Sequence, residues 1–199
     1  TINDMIFERG HFQSKSINES FVNESLREVK MFSQTKPYSN SNTVFLSHKH
    51  SDLKDLQGVM GLLKEYGVKV YIDSRDNKMP KETSGETAKR IKDVIKFSKK
   101  FILLATEKAI ESYWCNWELG FGDTHKFIDN IAILPMKETG TYDHNYKGNE
   151  YLQIYPRIDY NKAFTNIHGH FFKEGYYVKK PADNEGTVYI TELSEWLKQ

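Results

Sequence analysis

Apolar residues change their period several times along the chain, and each change marks an element. Residues 16 to 32, SINESFVNESLREVKMF, space Ile17, Phe21, Val22, Leu26, Val29 and Phe32 mostly three or four apart, which predicts an amphipathic helix. The polar segment SQTKPYSNSN, 33 to 42, carries Pro37 among turn-forming Ser and Asn and predicts a linker. Thr43-Val-Phe-Leu-Ser47 is then a short apolar run of the kind that a buried parallel strand requires. Beyond the polar break HKHSD, Leu53, Leu56, Val59, Met60, Leu63 and Tyr66 trace one helical face, and Gly67 is placed to end it in a left-handed cap.

The strand-then-helix order repeats. Val68 to Ile72 (VKVYI) predicts a strand, DSRDNKMPKE a long polar loop, and Thr83-Ser-Gly-Glu86 a capping box that opens a helix with Ala88, Ile91, Val94 and Ile95 on its buried side. Phe101 to Ala105 predicts a third strand, followed by a helical stretch containing SYWCNWE, 112 to 118, and Ile131 to Leu134 predicts a fourth. YLQIY, 151 to 155, reads as a fifth strand and Val188 to Leu197 as a closing amphipathic helix, with an irregular, aromatic and polar elaboration between them. Strands alternating with helices at this spacing imply an α/β fold, a parallel sheet covered on both faces. The division that follows is an N-terminal helix and linker at 1–42, a core domain at 43–155, and a C-terminal elaboration with its closing helix at 156–199.

Composition narrows the setting. A chain of 199 residues suits one domain with additions. Its 28 basic and 27 acidic residues nearly cancel, so no overall field draws it to nucleic acid or to an anionic membrane. One cysteine makes no internal disulfide, no apolar run approaches the roughly 20 residues that span a bilayer, and the N-terminus lacks the basic-then-apolar order of an export signal. These features predict a cytoplasmic protein with neither nucleic acid nor membrane as partner.

In an open parallel sheet, ligands bind at the carboxyl ends of the strands. The residues there are Ser47, His48, Lys49, His50 and Asp52 after the first strand, Asp73, Ser74 and Arg75 after the second, and Thr106 after the third. Trp114 and Glu118 are four apart on the helix that follows, so they share a face and can contact one ligand together. An aromatic ring offers a stacking surface. A carboxylate accepts hydrogen bonds from a ribose diol and stabilises the positive charge that develops as a glycosidic bond breaks. Alone, the spacing fits a core tryptophan beside a solvated glutamate better than a site. Asp73 fits a turn cap as well as a ligand contact. Cys115 reads as a small buried apolar group, Trp117 as core packing, and Trp114 as the tryptophan facing the cleft. His48 with His50, and His168 with His170, lack the further ligands a metal centre needs.

Phe45-Leu-Ser-His-Lys-His-Ser-Asp52, Val70-Tyr-Ile-Asp73, Gly85, Phe101-Ile-Leu-Leu-Ala-Thr106 and Trp114-Cys-Asn-Trp-Glu118 together resemble, in order and spacing, the motifs of Toll/interleukin-1 receptor (TIR) domains over about residues 43 to 135. The resemblance implies a flavodoxin-like fold with a five-stranded parallel sheet. It also implies cleavage of NAD, as substrate and with no cofactor, by a glutamate four residues after a tryptophan; these positions are Glu118 and Trp114. By the same resemblance Ser47, His48 and Lys49 border the adenosine or phosphate part of NAD, Trp114 lines the nicotinamide side, and the loop from Asp73 through Arg75 to Thr83 helps complete the site against a neighbouring subunit. Small bacterial antiphage TIR proteins, those of Thoeris systems among them, are similar. The implied partners are further TIR domains and a downstream effector that senses the nucleotide product. Residues 1–42 and 137–199 match nothing in the family pattern. Three alternatives stand beside this reading: a TIR scaffold without catalysis, a nucleoside deoxyribosyltransferase-like enzyme, and a phosphoacceptor receiver domain using Asp73. The last lacks an acidic pair after the first strand.

Overall fold

Strands β2 (Thr43–Ser47), β4 (Lys100–Ala105) and most of β5 (Ile131–Lys137) are buried along their length, because consecutive apolar residues feed cores on opposite faces of one sheet. Val44, Leu46, Ile102, Leu104, Ala132 and Leu134 point to one side, and Phe45, Phe101, Leu103, Ile131 and Ile133 to the other. With β3 (Lys69–Ile72) and β6 (Arg157–Asn161) they form a parallel sheet in the order β3-β2-β4-β5-β6. The chain leaves β2 toward β3 on one side and later adds β4 on the other, so strand order reverses between β2 and β4. A ligand crevice belongs at that reversal. The computed structural model describes residues 6–31, 42–73, 85–141, 146 and 149–199.

Helix α2 (Leu53–Glu65) packs on the first face, ending at Gly67, whose φ of 71° is the left-handed cap its position predicts. Helices α3 (Gly85–Phe97) and α5 (Tyr113–His125) cover the second face, and the short α4 (Glu107–Ile110) joins β4 to α5. The N-terminal helix is α1 (Glu19–Met31). Of its predicted apolar stripe, Val22 is buried, whereas Phe21 is 38% exposed, with the Lys64 ammonium 3.2 Å from its ring centre. The predicted linker, except Asn42, and the predicted start of α3 at Thr83 lie outside the described residues.

Two sequence expectations change. YLQIY is a 3-10 helix, Glu150–Ile154, and the fifth parallel strand begins at Arg157. Leu152 and Tyr155 are buried while Tyr151 and Ile154 are exposed, a three-residue spacing that a tight helical turn satisfies. Pro156 then starts the strand with its carbonyl, which accepts from the Ile133 N–H at 2.8 Å, because it has no N–H of its own. The closing helix is shortened to Leu193–Trp196, and a strand precedes it: β10 (Ile190–Glu192) pairs antiparallel with β9 (Gly175–Lys179), itself antiparallel to β6. Branched Thr187, Val188, Ile190 and Thr191 favour extended backbone, and the open edge of β9 supplies the hydrogen bonds. The remaining strands described are a two-strand ribbon, β7 (Phe164–Thr165) with β8 (Phe171–Phe172), and an N-terminal β1 (Phe7–Glu8) parallel to the end of β5.

Candidate active site

Glu118 sits one turn and a half into α5, whose N-terminus is fixed by the Ser112 hydroxyl accepting from the Cys115 N–H at 3.5 Å. Although a glutamate is rarely buried, this one is 1% exposed, so its carboxylate needs donors. The Ser47 Oγ, at the end of β2, donates to Glu118 Oε2 at 2.5 Å. The Trp114 Nε1–H donates to Glu118 Oε1 and to Asp73 Oδ2, both at 2.9 Å. One indole N–H is therefore shared by two carboxylates, one from the end of β3 and one from α5. Residues 71 and 41 positions apart in the chain meet at the reversal point of the sheet. Two carboxylates this close favour a ligand carrying positive charge.

The aromatic part of the site is a stack. Trp114 lies on Trp117 with centroids 4.5 Å apart and rings 29° from parallel, Trp117 on Phe121 at 6.0 Å, and Phe121 on His125 at 4.0 Å. Trp117 was expected as core packing; it is only partly buried, held between Trp114 and Phe121, with Lys92 of α3 5.6 Å from its ring centre. It orients Trp114 by stacking.

The other predicted positions divide. His48 is partly buried, with Nδ1 3.3 Å from the Leu46 carbonyl oxygen, and burial pushes its pKa down to about 4. It is a neutral ring near pH 7. Lys49 lies partly buried in the same loop. Ser47 was expected beside these two at the adenosine or phosphate end, but its hydroxyl turns inward to Glu118. Arg75 and the rest of the loop after Asp73 lie outside the described residues. Cys115 is buried, and burial, followed by the nearby Glu118 charge, pushes its thiol up to about 12, so it is no nucleophile. Among the described residues no group of three or more His, Cys, Asp or Glu is placed to hold a metal ion. His168 and His170 are exposed, and their backbone N–H groups both donate to Asn166 Oδ1, at 3.0 and 2.9 Å, which makes this pair part of a turn.

The linkage beneath the site was not foreseen. Asp52, fully buried, accepts from the Thr106 hydroxyl at 2.5 Å and meets the Arg9 guanidinium at 2.8 Å. Thr106 and Asp52 were visible as strand-end residues, but nothing local in the sequence ties Arg9 to them.

Comparison with known proteins agrees with this geometry. The family model described as TIR domain matches residues 44–166. The chain is 30% identical over 145 residues, 72% of either chain, to the probable 3' cyclic ADP-D-ribose synthase ThsB' of Bacillus cereus (strain MSX-D12). No described helix is long and apolar enough to cross a membrane. A doubly covered parallel sheet reversing between β2 and β4, with Ser47, Asp73, Trp114 and Glu118 gathered at its carboxyl edge, and matches of this extent, place the chain in the TIR domain family.

Proposed function

We propose that this chain cleaves the bond between nicotinamide and ribose in NAD, with Glu118 as the catalytic group. The observation that carries the reading is the buried Glu118 carboxylate, poised by the Ser47 hydroxyl and the Trp114 indole at the reversal point of the sheet. Nicotinamide leaves as a neutral molecule from a cationic ring and takes the bonding pair with it, so the leaving group needs no proton. The developing charge is on the sugar, as an oxocarbenium ion, and a carboxylate beside it stabilises the transition state more than the ground state. Glu118 would exchange its hydrogen bonds from Ser47 and Trp114 for the ribose hydroxyls, leaving those donors to hold substrate. Asp73 strengthens the negative field, and Trp114 supplies the flat surface for nicotinamide. His48 and Lys49 face the adenosine and phosphate part, with Lys49 as the cation. Arg75 is assigned, from its place in the sequence, to the loop that helps complete the site against a neighbouring subunit.

An intramolecular hydroxyl or ring nitrogen that captures the sugar gives a cyclic ADP-ribose, and water gives ADP-ribose. The synthase named above favours the cyclic outcome by similarity. The wider setting we propose is cytoplasmic antiphage signalling, with self-association through TIR–TIR contacts and an effector that senses the product. Purified protein incubated with NAD should release nicotinamide, with the second product identified by mass spectrometry. Glu118→Ala should abolish release, and equal release by that variant would refute the assignment. A non-catalytic scaffold predicts no turnover by either protein, and a deoxyribosyltransferase-like enzyme predicts turnover of nucleosides but not of NAD.

A further inference from the structure

We propose that Arg9, from a segment outside the residues 44–166 matched by the family model, is a positioning residue for the NAD-cleaving site. The proposal rests on Glu118 being the catalytic group. Its foundation is Asp52, which stands at the N-cap of α2 but whose carboxylate caps no N–H of that helix. One oxygen accepts from Thr106 Oγ1 at 2.5 Å, and the other lies 2.8 Å from Arg9 Nη2. Thr106 is itself the N-cap of α4, accepting from the Ala109 N–H at 3.1 Å. Asp52 thus binds the end of the loop that starts at Ser47 to the junction that leads into α5 and Glu118. These two segments must keep register for the Ser47–Glu118 hydrogen bond to persist.

A fully buried carboxylate whose other partners are hydroxyls only, Thr106 and, at 3.4 Å, Ser51, is strongly disfavoured, and its cationic partner comes from forty-three positions earlier in the chain. Arg9 is the apt residue, since its fork reaches Asp52 and Asp55 at once, the latter through Nε at 2.9 Å, and extends to Glu138 at 3.4 Å. Its own position is fixed. The Arg9 N–H donates to the Lys137 carbonyl at 2.9 Å, continuing the β1–β5 pairing, and the Gly10 N–H donates to Asp55 at 2.7 Å. Phe7 and Phe12 on either side are buried. Helix α2 admits the arm at two glycines: a Cβ on Gly58 would come within 2.5 Å of the Phe12 carbonyl oxygen, and one on Gly61 within 1.7 Å of that of Lys15.

The test compares Arg9→Gln with Lys15→Ala, which removes the exposed pair of the same arm, Lys15–Glu65. Arg9→Gln should lower kcat for nicotinamide release about 10- to 100-fold, with a smaller change in KM. Hydrogen exchange should quicken at 47–53 and 104–113 while the core strands stay protected. Arg9→Lys should recover part of kcat. The pair Arg9→Gln with Asp52→Asn, which removes the buried charge together with its partner, should exceed Arg9→Gln alone. Lys15→Ala should match the parent in every readout. Parental kcat in Arg9→Gln, exchange that rises uniformly along the chain, or no recovery in the double variant would each overturn the proposal. If Arg9→Gln does not fold, Arg9→Lys carries the same comparison, and an unchanged kcat there overturns it. Should the parent release no nicotinamide, the catalytic reading fails, while the exchange comparison still decides whether Arg9 holds the two segments.

Discussion

The two edges of the parallel sheet both bury ionisable groups, and they do so in opposite ways. At the carboxyl edge the groups are acids: Glu118 meets a hydroxyl and an indole N–H, and Asp52 meets a hydroxyl and a guanidinium. At the amino edge Arg157, which starts β6, pairs with the buried Asp159 carboxylate at 2.9 Å, but two lysines there have neutral partners. Lys100, 2% exposed, donates to Asn130 Oδ1 at 2.5 Å and lies 4.7 Å from the centre of the Trp196 ring, and Lys126 donates to the Ser98 carbonyl. Burial pushes both ammonium groups down to about 8. The Trp196 indole closes this edge by donating to the Asp129 carbonyl at 2.7 Å. Neutral acceptors make a buried lysine tolerable without giving it work, whereas acids held by aimed donors, on loops from three different strands, can exchange those donors for a ligand. Strand direction explains the asymmetry, since the loops that converge at the reversal point leave from carboxyl ends.

The largest effect that could break this comparison is a swap of consequences. Glu118→Gln should cut nicotinamide release at least ~10³-fold, the scale of losing a transition-state charge stabiliser. Lys100→Met should leave release within about twofold, since sites this separate act independently. Substantial activity in Glu118→Gln, or its loss in Lys100→Met, measured on folded protein, would show that the edges are not divided in this way.

The amino edge has its own signature in pH. The Lys100 ammonium titrates near 8 in the fold against 10.5 in an open chain, because burial disfavours its charge. Between these values the unfolded chain binds more protons, so stability rises with pH through that window, by at most about 3 kcal/mol. Denaturant midpoints of the parent minus those of Lys100→Met should therefore climb from pH 8 to pH 10. A flat difference would mean that the ammonium is solvated and that this edge resembles the other more than we describe.

How much of this was legible beforehand follows from where the information lies. The four strands from Thr43 to Leu134 were readable because each is a continuous apolar run between polar breaks, and Gly67 because helix ends have local chemistry. The Trp114–Glu118 face was readable because helical spacing is local too. Tyr151–Tyr155 misled because one turn of 3-10 helix and a short strand bury residues in similar patterns, and Pro156 decided between them. Residues 188–192 misled because an amphipathic period says nothing of a free strand edge nearby. Arg9 was invisible for a deeper reason: its partners Asp52, Asp55 and Glu138 are brought to it by the tertiary fold, and no spacing rule reaches across forty residues.

Within the carboxyl edge the comparison sharpens by degree. Ser47→Ala removes one donor to Glu118 and should lower kcat roughly tenfold, less than loss of the acid itself. Asp73→Asn keeps the hydrogen bond from Trp114 while removing a negative charge, so it should weaken NAD binding more than it slows turnover of bound NAD. Steady-state kinetics separate the two, and an unchanged KM in Asp73→Asn would remove Asp73 from the site's electrostatics.

The smallest expected effect concerns His48, among the described residues the one base at the acidic edge whose proton affinity is strongly lowered. Its pKa is about 4 in the fold, against 6.5 in an open chain, with burial as the leading cause. Below pH 6.5 the unfolded chain takes up a proton that the folded chain refuses until about pH 4. Its contribution to stability is therefore complete above pH 6.5 and declines as pH falls through that window. Because His48 is partly exposed, solvent should limit the loss to about 1 kcal/mol. His48→Asn cannot titrate, so parent-minus-variant denaturant midpoints should fall from pH 7 to pH 4.5 while all other acids cancel. A rise instead would mean that the fold prefers the imidazolium. On the reading proposed above, Lys49 would then share the phosphate end of the site with a second cation, and the carboxyl edge would pair its acids with a titrating base of its own.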